Sequence, residues 1–337
     1  MAARVVTFGE IMLRLSPPGY QRFLQASSYR ATFGGAEANV AVSMAIYGLE
    51  SRFVSKVPAH EIGQCAVNAL RGLGVDTSCV LRGGERLGVY FCETGASHRP
   101  SRVIYDRRHS AIAEADPGEF GWRSILDGVD WFHVSGITPG ISQKAAQTTL
   151  DAVTTARSLN VKVSLDVNYR RSLWSFDEAG RTLAPIMEYV DLAIMGPNDP
   201  ETLFGICPQS AGAAKPESLA LATDQLRQRF GISKAAFTVR EGESASDNTI
   251  RAFLCDDEGV HASRDYKVHI IDRVGSGDSF AGALIYSLLG GVDGQRAVDF
   301  AIAASCFKHS IEGDFNLVDL DEVRWVASNE HRTRIRR

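Results

Sequence analysis

The chain contains no apolar run of about 18 residues, the length that a membrane-spanning helix requires. The apolar stretch within Met1 to Glu10 is too short for a signal peptide. A cytoplasmic protein without a membrane partner is the expectation. The six cysteines, Cys65, Cys79, Cys92, Cys207, Cys255 and Cys306, form no CxxC pair and have no histidine at metal-ligand spacing. That argues against structural zinc and leaves reduced, partly buried thiols. A basic stripe is also missing: Lys and Arg number 36 against 40 Asp and Glu, a net charge of -4, so nucleic acid is not the expected partner. The one basic cluster, Arg332 to Arg337, is terminal and reads as a solvated tail. The first segment, VVTFGEIMLRL, carries no GxGxxG, which removes the main support for a dinucleotide-dependent dehydrogenase.

What is present is alternation. Short β-branched, apolar runs recur at Val5 to Phe8, Phe53 to Val57, Trp131 to Ser135, Val161 to Leu165, Leu192 to Met195 and Ala236 to Val239, and such runs predict buried strands. Between them lie helical patterns, Ala36 to Tyr47 closed by Gly48, Ile62 to Leu73 closed by Gly74, and Gln143 to Leu159. Strand and helix in turn predict an α/β fold with a doubly wound, mainly parallel sheet flanked by helices. One domain over residues 1–320 is expected, with 321–337 as a C-terminal helix or tail. Two stretches break the rhythm, residues 12–33 and 80–105. They read as extended insertions forming a small β lid over the carboxyl edge of the sheet, where ligands bind in such folds. Gly205 to Pro216 reads as a surface loop.

The segment richest in chemistry is Ile270 to Leu289, IIDRVGSGDSFAGALIYSLL. An apolar strand end runs into a turn built on Gly275 and Gly277, and a helix follows with Asp278 at its start. Small residues let the backbone N–H groups of Gly275, Ser276 and Gly277 converge on an anion at the positive helix end. A transferring phosphoryl group is such an anion, and a nearby carboxylate can take the proton of the attacking hydroxyl. Asp278 is placed for that, and the helix start is expected to favour its ionised form. Taken alone, the same residues also make a tight turn and a helix cap.

Gly34 and Gly35 precede a helical segment carrying Asn39, and a double glycine permits close backbone approach to a ligand, although it also makes an ordinary turn before a helix. Together, the early GGxxxN and the late DxxGxGD segments resemble those of the ribokinase-like (PfkB) carbohydrate kinases, whose late signature is D-T-x-G-A-G-D. The resemblance runs through nearly the whole chain. It includes Asn198 to Glu201 (NDPE), which matches the family's N-x-x-E segment. There the resemblance implies that Asn198 and Glu201 help to place Mg²⁺ through water; without it, NDPE is a capping turn. ATP and Mg²⁺ are the implied cofactors. Two residues depart from the signature, Arg273 for Thr and Ser276 for Ala. The nucleotide segment departs further, since TVREGESASDN (Thr238 to Asn248) replaces T-x-G-x-x-G. The resemblance still assigns Asn168, Thr238 and Arg240, with Gly275 and Gly277, to ATP.

Within the family the chain is most similar to the 2-keto-3-deoxygluconate kinases, through GGAEAN, LGVYF, VIYDR, DVNYR and GDFN. That resemblance implies that Gly34, Gly35, Asn39, Tyr90, Tyr105, Arg107, Arg170 and Asp314 face an acid sugar, and that Asp278 takes its proton. A carboxylate on the substrate suits arginine, which binds it with charge-assisted, often paired hydrogen bonds; as solvated surface charges the same arginines would do nothing of the kind. The alternatives are a fructokinase, a ribokinase or a 5-keto-2-deoxygluconate kinase of the same fold, or a non-catalytic nucleotide-binding homologue. Open lid strands also offer an edge for pairing between copies of the chain.

Overall fold

Strands apolar on both faces run through the centre of the molecule, described by a computed structural model for residues 2–206, 214–242 and 244–328. Cys207, part of the Gly205 to Pro216 stretch and the Arg332 to Arg337 cluster lie outside the described residues. The strands are β1 (Arg4–Phe8), β2 (Met12–Ser16), β3 (Arg30–Gly34), β4 (Glu50–Val57), β5 (Val80–Arg82), β6 (Val89–Glu93), β7 (Arg102–Asp106), β8 (Trp131–Ser135), β9 (Lys162–Asp166), β10 (Leu192–Met195), β11 (Lys234–Gly242), β12 (Asp247–Cys255), β13 (Val260–Ala262) and β14 (Tyr266–His269). The helices are α1 (Ala36–Ile46), α2 (Glu61–Arg71), α3 (Trp122–Ile125), α4 (Ile137–Ile141), α5 (Gln143–Ser158), α6 (Phe176–Met187), α7 (Asp199–Phe204), α8 (Pro216–Phe230), α9 (Ser276–Leu289), α10 (Gly294–Lys308) and α11 (Leu320–Ala327).

The main sheet runs β13-β12-β11-β10-β9-β8-β1-β4-β5, with β14 also paired to β12. From β11 to β5 every pairing is parallel; β12 joins antiparallel, as do β13 and β14. The six expected strands and three expected helices all fall on these elements, overrunning them by two residues at most. Alternation assigns the two faces. Val5, Leu192 and Ile194 pack with residues of α1, α9 and α10, while Val6, Ala193 and Met195 pack with those of α5, α6 and α8. Because β1 lies between β4 and β8, the chain winds outward in both directions from it, and a crevice opens beyond the carboxyl ends there.

The two extended insertions form a separate four-stranded sheet, ordered β3-β2-β6-β7. The expected boundary at residue 80 is corrected: Val80 to Arg82 is β5, held in the main sheet by β4, and only β6 and β7 of that segment join the small sheet. The C-terminal helix is likewise part of the body. Asp319 and Glu322 form a reciprocal cap on α11, and Val323 is buried in the core. Among the described residues no helix is long and apolar enough to cross a membrane. Cys92 and Cys255 are buried, Cys79 and Cys306 half-buried and Cys65 exposed, all as free thiols.

Candidate active site

A cavity of about 650 Å³ lies between the carboxyl ends of the main sheet and the small sheet. The glycine turn enters it from the main-sheet side. Helix α9 is buried almost all round, by Phe280, Ala281, Leu284 and Ile285 among others, so its first turn cannot drift. Gly275 caps it with φ of 85°. A Cβ at Gly275 would stand 2.1 Å from the carbonyl oxygen of Asp314, so conformation and space both demand glycine there. Ser276 and Gly277 follow on the cavity wall.

Asp278 is 9% exposed and faces the same cavity. Asn39 Nδ2 donates to its Oδ2 at 2.6 Å, and the N–H of Gly35 donates to Asn39 Oδ1 at 3.3 Å, which fixes the orientation of the amide. The expectation that the helix start keeps Asp278 ionised is corrected. Burial outweighs the Asn39 hydrogen bond and the attraction of Arg170, and lifts the carboxyl pKa to about 7. Asp278 is thus poised between its two protonation states near neutrality, where proton transfer is most efficient.

Two further carboxylates were missed in the sequence. Asp166, at the end of β9, lines the cavity, and burial together with the charge of Asp278 lifts its pKa to about 8, against Arg170 and the N–H of Asn168, which donates at 3.0 Å. Asn168 sits in the left-handed region, φ 42°, which Asn tolerates better than most residues. Asp199 begins α7, lines the cavity and accepts the N–H of Gly196 at 2.6 Å; burial raises its pKa as well. The neighbouring Asn198 and Glu201 are exposed and lie outside the lining, so the NDPE signal marked the right turn but the residue nearest the cavity is Asp199. The signal available was the strand end before each: LDVN and IMGPND each put an acid just past an apolar run.

On the small-sheet side the residues expected to face sugar are tied into the protein itself. The parallel register of β2 and β6 sets Arg14 opposite Tyr90. Arg14 pairs with Asp272 at 2.6 Å and with Asp314 at 2.9 Å, while Tyr90 Oη donates to the other oxygen of Asp314 at 2.5 Å. Tyr90 and Asp314 still line the cavity, each 3% exposed. Gly34 is glycine because a Cβ would stand 2.1 Å from the Asp314 carboxylate; the close approach expected of it is to the protein's own Asp314, and Gly34 is not part of the cavity lining, whereas Gly35 is. Arg107 is not free either. Its Nη2 and Nε lie 2.5 and 2.8 Å from Oε2 of buried Glu10, an acid that the sequence reading passed over. Tyr105 is 42% exposed with its ring 5.8 Å from that of Tyr90. Arg170 lies on the cavity wall beside the acids.

The segment read as a nucleotide loop, Thr238 to Asn248, is mostly the two arms of the β11–β12 hairpin, with Gly242 opposite Asn248. Thr238 and Arg240 do reach the cavity. The hairpin end meets the β6–β7 turn: the N–H of Ala245 donates to the Ser97 carbonyl at 2.8 Å, and the N–H of Ser97 donates to Ser246 Oγ at 3.1 Å. One cavity is therefore roofed by contact between the two sheets, with a glycine turn, a carboxyl of raised pKa and several arginines on its walls. That arrangement can hold an anion and move a proton.

The family model described as "pfkB family carbohydrate kinase" matches residues 2–316. The 2-dehydro-3-deoxygalactonokinase of Haloferax volcanii is 31% identical over 326 residues, 97% of this chain and 97% of its own. The 2-dehydro-3-deoxygluconokinase of Thermoproteus tenax is 28% identical over 319 residues, 92% of this chain and 89% of its own. Among solved structures, that of 2-dehydro-3-deoxygluconokinase from Thermotoga maritima superposes with a TM-score of 0.94 and 46% identity, covering 97% of this chain and 100% of that one.

Proposed function

This chain belongs to the pfkB family of carbohydrate kinases, and from that premise we propose that it phosphorylates a 2-keto-3-deoxy sugar acid with ATP, converting 2-keto-3-deoxygluconate to its 6-phosphate in the cytoplasm. The observation that carries the reading is the pair formed by Asn39 and Asp278 beside the Gly275 turn, at the wall of a cavity that also holds Arg107 and Arg170. The sugar hydroxyl lies at Asp278, which accepts its proton as the new oxygen–phosphorus bond forms and the bond to ADP breaks. The N–H groups of Gly275, Ser276 and Gly277, with the positive end of α9, stabilise the charge spread over the transferring phosphoryl oxygens. Gly35, Asn39, Tyr90, Tyr105, Arg107, Arg170 and Asp314 hold the sugar, with Gly34 making room for Asp314. Asn168, Thr238 and Arg240 hold the nucleotide. The acid class is supported by relatives named for two epimeric acids and by the arginines on the wall.

The residues present suit Mg²⁺. It takes oxygen ligands and keeps several waters, and Asp166 and Asp199 place carboxylates whose charge the protein leaves poorly compensated at the cavity. These two would hold the ion, with Asn198 and Glu201 reaching it only through water. When bound, it would neutralise charge on the ATP phosphates. Copies of the chain would meet through β7, where Val103, Ile104 and Tyr105 are 38%, 43% and 42% exposed.

The test is ATP consumption by the purified protein against 2-keto-3-deoxygluconate, its galactonate epimer, 5-keto-2-deoxygluconate, fructose, ribose and adenosine. Turnover confined to the 2-keto-3-deoxy acids supports the reading. Faster turnover of a neutral sugar overturns the substrate class, and no turnover of any acceptor favours a nucleotide-binding homologue.

A further inference from the structure

Arg273 stands where the related motif has threonine, and the mechanism above gives it no role. It follows Asp272, whose carboxylate is clamped by Arg14, and precedes the Gly275 turn by two residues. It lines the cavity, as does Arg240. Its Nη2 donates to the carbonyl of Ala245 at 3.2 Å, so the side chain spans from the glycine turn to the tip of the β11–β12 hairpin. Its Nε is buried and meets no acceptor among the described residues. A buried N–H without a partner is costly, and more so on a charged group.

The charge balance around it points the same way. Arg14 has Asp272 and Asp314, Arg107 has Glu10, and Arg99 has Glu93. Arg240 has no comparable ion pair among the described residues. Crowding by the protein lowers its pKa, and the charged groups acting on it are two more cations, Arg273 and Arg170. Arg170 is also drawn to Asp166 and Asp278, but Arg240 and Arg273, which repel one another, are unfavourably placed side by side until an anion arrives between them. Guanidinium forks match phosphate oxygens in pairs, which a threonine hydroxyl cannot do.

Resting on the kinase reading above, we infer that Arg273, with Arg240, binds the phosphates of ATP that are not transferred and stabilises the charge that develops on the leaving diphosphate. As the bond between the γ-phosphorus and its bridging oxygen breaks, the electron pair passes to the β-phosphate of ADP, and the proton of the sugar hydroxyl passes to Asp278.

The rival role is a strut between the turn and the hairpin through the bond to Ala245. ADP and AMP separate the two roles, because they share base and ribose and differ by one phosphate. Dissociation constants of both are measured by calorimetry at fixed Mg²⁺ for the full chain and for Arg273→Thr, with thermal melts and steady-state kinetics alongside. The expected result is that ADP binding weakens roughly 10- to 150-fold, as for one hydrogen bond to a charged group, while AMP binding and the KM for sugar stay unchanged and kcat falls. Equal weakening of ADP and AMP, or a lower Tm with ADP binding intact, overturns it. Should the threonine variant not fold, Arg273→Gln keeps a donor for Ala245 without the charge; its retention of the ADP preference would equally overturn the proposal. A wild-type chain that phosphorylates no sugar yet shows the Arg273-dependent preference would sink the kinase reading and leave this subsite standing.

Discussion

Asn39 Nδ2 lies 2.6 Å from Asp278 Oδ2, joining the first turns of two helices 239 residues apart in the chain. Their separation is fixed by packing, since Val40 and Met44 of α1 and Phe280 and Leu284 of α9 share one buried cluster. The Asp278 carboxyl is therefore aimed by the hydrophobic core, and the hydrogen bond trims its ionisation.

Asp278→Asn should lower kcat by about a hundredfold or more, the lower bound for losing a general base, with ATP affinity near that of the wild type. It should also raise Tm at pH 8. The folded pKa of about 7 lies above the ordinary carboxylate value, so between the two the unfolded chain has lost its proton while the folded one retains it, and stability falls as pH rises through that window. Turnover preserved in the folded variant would reduce Asp278 to a helix cap.

The same shift sets the pH dependence of catalysis. A base works only when ionised, so kcat/KM should decline as pH drops through about 7. Asp166 is coupled to Asp278, and the apparent value belongs to the pair. Asn39→Ala removes a bond that favours the ionised form and should move this limb to higher pH, by about one unit for a bond worth roughly 1.4 kcal/mol. A limb that stays in place would show that Asn39 only spaces the helices.

Magnesium dependence should rank the acids by their nearness to the cavity. Asp199→Asn should raise the Mg²⁺ concentration for half-maximal rate most, with Glu201→Gln and Asn198→Ala giving smaller shifts in the same direction through outer contacts. Titrations of all three variants that overlay the wild type would leave NDPE as a turn.

Arg107 tests the acid sugar and the fold together. Glu10 is 3% exposed and its Oε1 has no partner among the described residues, so Arg107→Ala leaves a buried charge unpaired and should cost about 3 to 5 kcal/mol of stability. Adding Glu10→Gln should restore most of that. What should not return is activity on the acid: kcat/KM for 2-keto-3-deoxygluconate in the double variant should remain roughly 10- to 150-fold low, with a smaller loss for its reduced, uncharged analogue. Equal losses on the two substrates would remove Arg107 as a carboxylate partner.

Substrate should quiet the small sheet. Hydrogen exchange in residues 12–33 and 89–105 is expected to slow when sugar and nucleotide analogue are both bound, because closure excludes water from phosphoryl transfer. Unaltered exchange would make the sheet a fixed wall and not a lid.

The main sheet was legible because its strands are buried on both faces, and a continuous apolar run such as LAIM (Leu192 to Met195) has few other readings. The glycine turn was legible because few other backbones tolerate its shape. What escaped was contact between segments distant in sequence. That Arg14 and Tyr90 both engage Asp314 follows from the pairing of β2 with β6, and the pairing of Glu10 with Arg107 joins the residue just after β7 to the turn between β1 and β2. The pKa of Asp278 escaped for the same reason, since helix position is local and burial is not. Asp199 stood in plain view inside NDPE, between the two residues that the motif singles out.

The same cavity carries the glycine turn on one wall and residues of the small sheet on another. On the proposed reading donor and acceptor share that chamber, and Asp278 is engaged with the acceptor's proton. Transfer in one in-line step then follows, with no phosphorylated side chain as a stopover. Such a reaction leaves a stereochemical record: an isotopically chiral γ-phosphate passes to the sugar with its handedness inverted, whereas two successive displacements would return it to its original hand.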